Sequence, residues 1–268
     1  MKKILVLLVL ITCSCSDERS SSSPEETIPP YTPRFGTLYD ARDGHSYKTT
    51  FINGLEWMAE NLNYYVQTTE CVSCSGELVT CGEQDSLFQT VPSGIGYCFG
   101  ISTYVNSGCY NDSPENCEKY GRMYSWDAAV GDTLKIEWRD ALGLGDSIQG
   151  ICPDGWRLPT ETDFYERLWY FLCDRHPELY MRDRERKLRS TEGWPDSLKG
   201  TDEYGFNLLA GGFGRDKKIG ECASFWLANE LNQNLSLNVN FDCLWNGGLV
   251  SESNKSVFRY VRCVREYQ

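Results

Sequence analysis

Apolar and polar residues alternate in two different rhythms along this chain, and the changes of rhythm mark its elements. Between residues 152 and 164, Trp156 and Leu158 alternate with Arg157, so one face of a short extended run is apolar. Pro153-Asp154-Gly155 predicts a turn before it, because Pro presets φ and Gly accepts the positive φ that follows. Pro159 stops the run. Thr160 then stands as a helix N-cap, with Asp163 three residues on in the place of a capping-box acid. Phe164, Leu168, Phe171 and Leu172 follow at helical spacing, which predicts a helix over 161–175, ended by Asp174-Arg175-His176-Pro177.

A period of two governs the stretch from Gly36 to Gly54. Tyr47, Thr49 and Phe51 alternate with Ser46, Lys48 and Thr50, and the dipeptides Asp43-Gly44 and Asn53-Gly54 predict tight turns on either side. Residues 55–62 continue as a further strand, or a strand and a turn. Gly121 to Trp126 reads as a strand, Asp127-Ala128-Ala129 as the opening of a short helix, and Val257 to Glu266 as a closing strand. Residues 65–108 keep no rhythm and read as an irregular insertion, and residues 187–220 are polar and Gly-rich.

The start of the chain follows neither rhythm. Met1-Lys2-Lys3 precedes an unbroken apolar run from Ile4 to Ile11, well short of the roughly 20 residues that span a bilayer. That is the form of a secretory signal. A cysteine directly after such a run suggests a lipid-acylated N-terminus. Cys15, preceded by the small Ser14, is the favoured anchor, and Cys13 is the alternative. The expected organisation is a lipoprotein signal peptide over 1–14, a Ser- and Pro-rich tether over 15–34, and one body over 35–268. The expected location is the outer membrane, lipid-anchored, facing the periplasm or the cell surface.

Charge and cysteine content sharpen this picture. A net charge of −12 should repel nucleic acid and anionic lipid surfaces. Of 13 cysteines, 11 follow residue 15, a density that with an export signal predicts disulfides in an oxidising compartment. Cys109 and Cys117 flank a turn-rich stretch where a short-range disulfide is easy. Cys71-Val72-Ser73-Cys74 lacks the second close pair that zinc would need and the helix start that redox chemistry would need. Local disulfides with Cys81 and Cys98 are the simpler reading.

The blocks themselves carry a resemblance. Cys152-Pro-Asp-Gly-Trp-Arg-Leu-Pro-Thr-Glu161, Trp57-Met-Ala-Glu-Asn-Leu-Asn-Tyr64, Cys109 to Ala129, Gly205 to Arg215 and Val257 to Glu266 look like successive blocks of the Fibrobacter succinogenes major paralogous domain. The first is also distantly similar to a run in formylglycine-generating, sulfatase-modifying enzymes. Glu56, Leu208, Ala210 and Leu227-Ala228-Asn229 depart from the family pattern. The resemblance implies an α+β, C-type-lectin-like fold: short twisted antiparallel sheets, two main helices and long disulfide-stapled loops. In such a fold the chain ends meet, which implies a Cys152–Cys263 bridge.

No residue set points to catalysis, to a metal or to a cofactor. His45 and His176 read as turn and helix-end residues, and Gly211-Gly212-Phe213-Gly214 lacks the spacing of a phosphate-binding loop. The Glu-Pro-Asn, Gln-Pro-Asp and Trp-Asn-Asp tripeptides of calcium-dependent lectins are absent from the chain. Two functions therefore stand. One is a non-catalytic binding or adhesion module for an extracellular polysaccharide or envelope protein, with its ligand face at Trp226, Asn229, Glu230 and Trp245. The other is a formylglycine-generating-type oxidoreductase using the pair Cys222 and Cys243, which reads more simply as a loop-bridging disulfide.

Overall fold

The computed structural model describes residues 29–65, 107–131, 148–214, 218–241 and 249–267, with two short backbone stretches at 71–72 and 78–79. The fold is α+β. A four-stranded antiparallel sheet has the order β1-β2-β3-β12, where β1 is Phe35–Tyr39, β2 Ser46–Ile52, β3 Leu55–Met58 and β12 Val264–Glu266. The Asn53-Gly54 turn joins β2 to β3 with both residues at positive φ, as a two-residue hairpin requires. The first turn is wider than the Asp43-Gly44 dipeptide suggested. Asp40 accepts from the Gly44 amide and donates to the His45 carbonyl, and its carboxylate holds Arg42, so six residues rather than two make the loop.

The second sheet is six-stranded, with the order β10-β9-β8-β11-β7-β6. Here β6 is Ser107–Gly108, β7 Met123–Tyr124, β8 Ala223–Glu230, β9 Leu235–Phe241, β10 Leu249–Asn254 and β11 Arg259–Tyr260. A separate two-stranded ribbon pairs β4 (Cys71–Val72) with β5 (Leu78–Val79). β8 is central, and its side chains alternate between two cores. Phe225 and Leu227 join Phe164, Leu168, Val239 and Phe241 on one side. Trp226 and Ala228 join Tyr124, Trp126, Trp156 and Val261 on the other.

Besides a short 3-10 turn at Tyr110–Asp112, four helices accompany the sheets among the described residues: α1 Pro114–Tyr120, α2 Trp126–Val130, α3 over 161–175 and α4 Met181–Arg186. α3 starts as its sequence dictates. The Thr160 hydroxyl accepts from the Asp163 amide, and the Asp163 carboxylate accepts from the Thr160 amide at 2.7 Å. Its middle, Asp163–Trp169, is wound in wide π-type turns. That winding brings residues five apart onto one face, and Phe164 stacks on Trp169 at 6.3 Å. Phe171, expected in the core, is only half-buried and packs against Tyr31 and Tyr204.

The last element needs correction. The closing strand is two strands in two sheets. Tyr260, Val261, Arg262 and Cys263 are all buried, and Arg262 turns its guanidinium onto Asn61 and the carbonyls of Phe206 and Asn207. The chain leaves β11 there and re-enters a ladder at β12. The short-range disulfide Cys109–Cys117 is present as expected, and the stretch it spans includes the start of α1, where Pro114 is the first helical residue and Cys117 is buried. The second bridge joins Cys152 to Cys263 with the Cα atoms 5.8 Å apart. Beside it, Arg157 exchanges both backbone hydrogen bonds with Val264, so the predicted 156–158 run is a single bridge with Trp156 and Leu158 buried.

The two ends of the described body also meet. Arg34 donates to the Tyr267 hydroxyl and lies over the Phe51 and Tyr267 rings. Upstream, Tyr31 donates to the Phe51 carbonyl, and Arg175 donates to the carbonyl of Pro29. Cys13, Cys15, Cys74, Cys81, Cys98, Cys243 and Trp245 lie outside the described residues, and only the backbone of Cys71 is described. Among the described residues no helix is long and apolar enough to cross a membrane.

Candidate functional site

Of the four residues marked by sequence as a ligand face, Trp226 is core, Asn229 and Glu230 are half-buried and engaged with neighbours, and Trp245 lies outside the described residues. Trp226 is fully buried, because β8 is flanked by β9 and β11 and covered on both faces. Its indole donates to the Tyr124 carbonyl, and Arg259 stacks on it at 5.2 Å. Asn229 is spent on the start of α3, its side-chain oxygen accepting from the Glu161 amide at 2.7 Å. Glu230 pairs with Lys255, whose ammonium lies 4.4 Å over the Trp126 ring. Cys222 is disulfide-bonded. These contacts hold the sheet to its neighbours.

A cleft forms elsewhere, where four segments converge. His45 and Tyr47 come from the entry to β2, Glu60 to Asn63 from the stretch after β3, Cys117 to Gly121 from the end of α1, and Asn207 and Leu209 from the Gly-rich segment. Together they line an open cleft of about 210 Å³.

Asn61 is the hub of this convergence. Its amide nitrogen donates to the Tyr120 carbonyl at 2.7 Å, and its oxygen accepts from Arg262 Nε at 2.7 Å. Gly121 is required at the contact: its φ is +82°, and a Cβ there would lie 2.7 Å from that of Asn61. Arg262 then fastens the third wall through the Phe206 and Asn207 carbonyls. Burial pushes the Arg262 pKa down to about 10, against the pull of Asp202 and Glu60. Asp202 accepts from the Asn207 amide at 2.6 Å. Burial nonetheless raises its carboxyl pKa to about 6, and the Asn207 amide and Arg262 oppose this only in part.

The lining is polar and nearly balanced in charge. His45, Glu118 and Lys119 are exposed at the rim, and the Glu60 carboxylate accepts from the Lys48 amide. The buried Tyr47 hydroxyl accepts from the Asn63 amide, and burial raises its pKa. The Asn63 side-chain carbonyl is buried without a hydrogen-bond partner, an uncommon state for such a group. Amides, carboxylates, an ammonium and an imidazole supply donors and acceptors in both senses, which suits a ligand carrying many hydroxyls. Among the described residues no group of three or more His, Cys, Asp or Glu is placed to hold a metal ion.

Sequence reasoning gave His45 a turn role and passed over Asn61, Asn63 and Asn207. The signal available was the polar pair Asn61 and Asn63 flanking the buried Leu62 directly after a strand. Compared with known proteins, the chain matches the family model described as the Fibrobacter succinogenes major domain over residues 51–265. No curated protein and no solved structure matches it.

Proposed function

Because the chain belongs to the Fibrobacter succinogenes major domain family, we propose that it is a non-catalytic binding module held at the outer membrane by a lipid on Cys15. The body is C-type-lectin-like in this reading. The meeting of Arg34 with Tyr267 and the Cys152–Cys263 bridge support that scaffold. The ligand is an extracellular polysaccharide, taken in the cleft between Tyr47, Asn63, Lys119 and Asn207. The observation that carries this reading is the cleft lining, polar and mixed in donors and acceptors, with the Asn61 amide and the Asn207 backbone held by Arg262. Preorganised amides of this kind lose little freedom on binding. An oxidoreductase built on Cys222 would need a reactive thiol, and Cys222 is bonded.

One experiment separates anchor from site. Cells producing the full chain are fractionated, and each fraction is probed with a panel of labelled neutral and acidic oligosaccharides. Cys15→Ala should move binding from the membrane to the soluble fraction without abolishing it. His45→Ala with Asn63→Ala should abolish binding without moving the protein. Binding that survives the double change places the ligand elsewhere, and a Cys15→Ala protein that stays with membranes refutes the anchor.

A further inference from the structure

β1 is the outer strand of the four-stranded sheet, and among the described residues no strand pairs with its free edge. The register runs Phe35↔Thr50 to Tyr39↔Ser46. The Phe51 amide bonds the Arg34 carbonyl, and the Asp40 amide bonds the His45 carbonyl. Even-numbered residues therefore face β2, and in an antiparallel ladder the amides and carbonyls of Phe35, Thr37 and Tyr39 point away from it. Phe35 and Tyr39 are each 63% exposed. The strand Phe35-Gly-Thr-Leu-Tyr39 carries no Lys, no Pro, no other charge and no bulge, the devices that keep sheet edges apart. The other edge of the sheet, at β12, is partly covered by the Arg157 bridge to Val264.

We infer that this edge is a self-docking surface on which a second copy of the chain adds its own β1, antiparallel and centred on Thr37. The register is self-complementary. About a two-fold axis at Thr37, Phe35 stands opposite the partner's Tyr39, and Tyr39 opposite the partner's Phe35. Each makes an aromatic cross-strand pair of the kind that stabilises sheets. The outward amide and carbonyl of Thr37 meet the same groups of the partner's Thr37, completing a closely spaced pair of hydrogen bonds. Two four-stranded sheets become one of eight, and the contact is closed, because the same patch serves both copies. The net charge of −12 on each copy opposes this approach, so the dimer strengthens as added salt screens that repulsion.

The test uses the full chain in detergent-extracted membranes. Thr37→Cys should be joined to a second copy by a short thiol-to-thiol linker, giving a species of twice the chain mass. Ser46→Cys is the control: it is exposed, but one strand in from the edge. Thr37→Lys puts like charges directly opposite each other, and should raise the dimer dissociation constant about tenfold or more, with the melting temperature unchanged at dilutions where the parent is monomeric, since Thr37 is exposed. A monomer at every salt concentration overturns the inference. So does a dimer that Thr37→Lys leaves intact, which would put the interface elsewhere. Linkage of Thr37→Cys to a chain of another mass also overturns it and gives the edge to a different protein.

Discussion

Arg262 and Asp202 show what a buried charge does when its partners are mostly backbone. Arg262 loses hydration and recovers it from one amide and two carbonyls, so removing it would orphan three acceptors at once. Asp202 sits nearby with a carboxyl pKa of about 6, against about 3.9 in an unfolded chain. The folded protein therefore keeps a proton that the unfolded chain releases, and stability falls as pH rises from about 4 to about 6. Asp202→Asn keeps an oxygen for the Asn207 amide and carries no charge. Its melting temperature relative to the parent should rise across that window and then level off; a difference independent of pH would refute the assignment. At this scale the sequence was least legible. Trp226, Asn229 and Glu230 have the residue types of a contact face, but type does not reveal that β8 is a central strand. Asn61 looked like one polar residue among many, because its partners Tyr120 and Arg262 are 59 and 201 residues away.

Elements were read well where several local signals agreed. The start of α3 carries an N-cap, a capping acid and an apolar stripe, and the Asn53-Gly54 hairpin carries both turn residues and alternation; both formed where expected. Although burial pushes the Asp163 carboxyl up, hydrogen bonds from Arg157 and Thr160 hold it below its ordinary value, so the capping acid stays charged. Elements without apolar rhythm were missed. α1 spans 7 residues and buries only Cys117 and Tyr120. α4, Met-Arg-Asp-Arg-Glu-Arg, buries Arg184 and Glu185 and so looks like a solvated charge run. The closing strand was misjudged for a related reason. Four consecutive buried residues give no alternation, and only the position of Arg262's acceptors tells where the ladder breaks.

For the whole molecule, both the α+β class and the Cys152–Cys263 bridge followed from the family that the sequence blocks resemble. That bridge spans a sequence separation of 111. By chain entropy it contributes about 4 to 5 kcal/mol, a large share of the roughly 5 to 15 kcal/mol net stability of a domain. Cys152→Ser with Cys263→Ser should lower the denaturation midpoint sharply and leave membrane partition as it was. Each single change should be at least as harmful, since the remaining thiol can mispair. A double variant that melts like the parent would show that the packing of Trp156 and Leu158, with the Arg157–Val264 bridge, suffices without the sulfurs.

The split of the last strand also bears on the order in time in which the protein can form. β11 sits between β8 and β7 in the larger sheet, and β12 completes the smaller one beside β3. Both sheets therefore stay incomplete until residues 259–266 are in place. Until then the chain holds its longest-range pairings open, which slows folding. A chain ended before Arg259 should show no cooperative melt; a sharp transition in that truncated chain would mean that the first 258 residues make a core of their own.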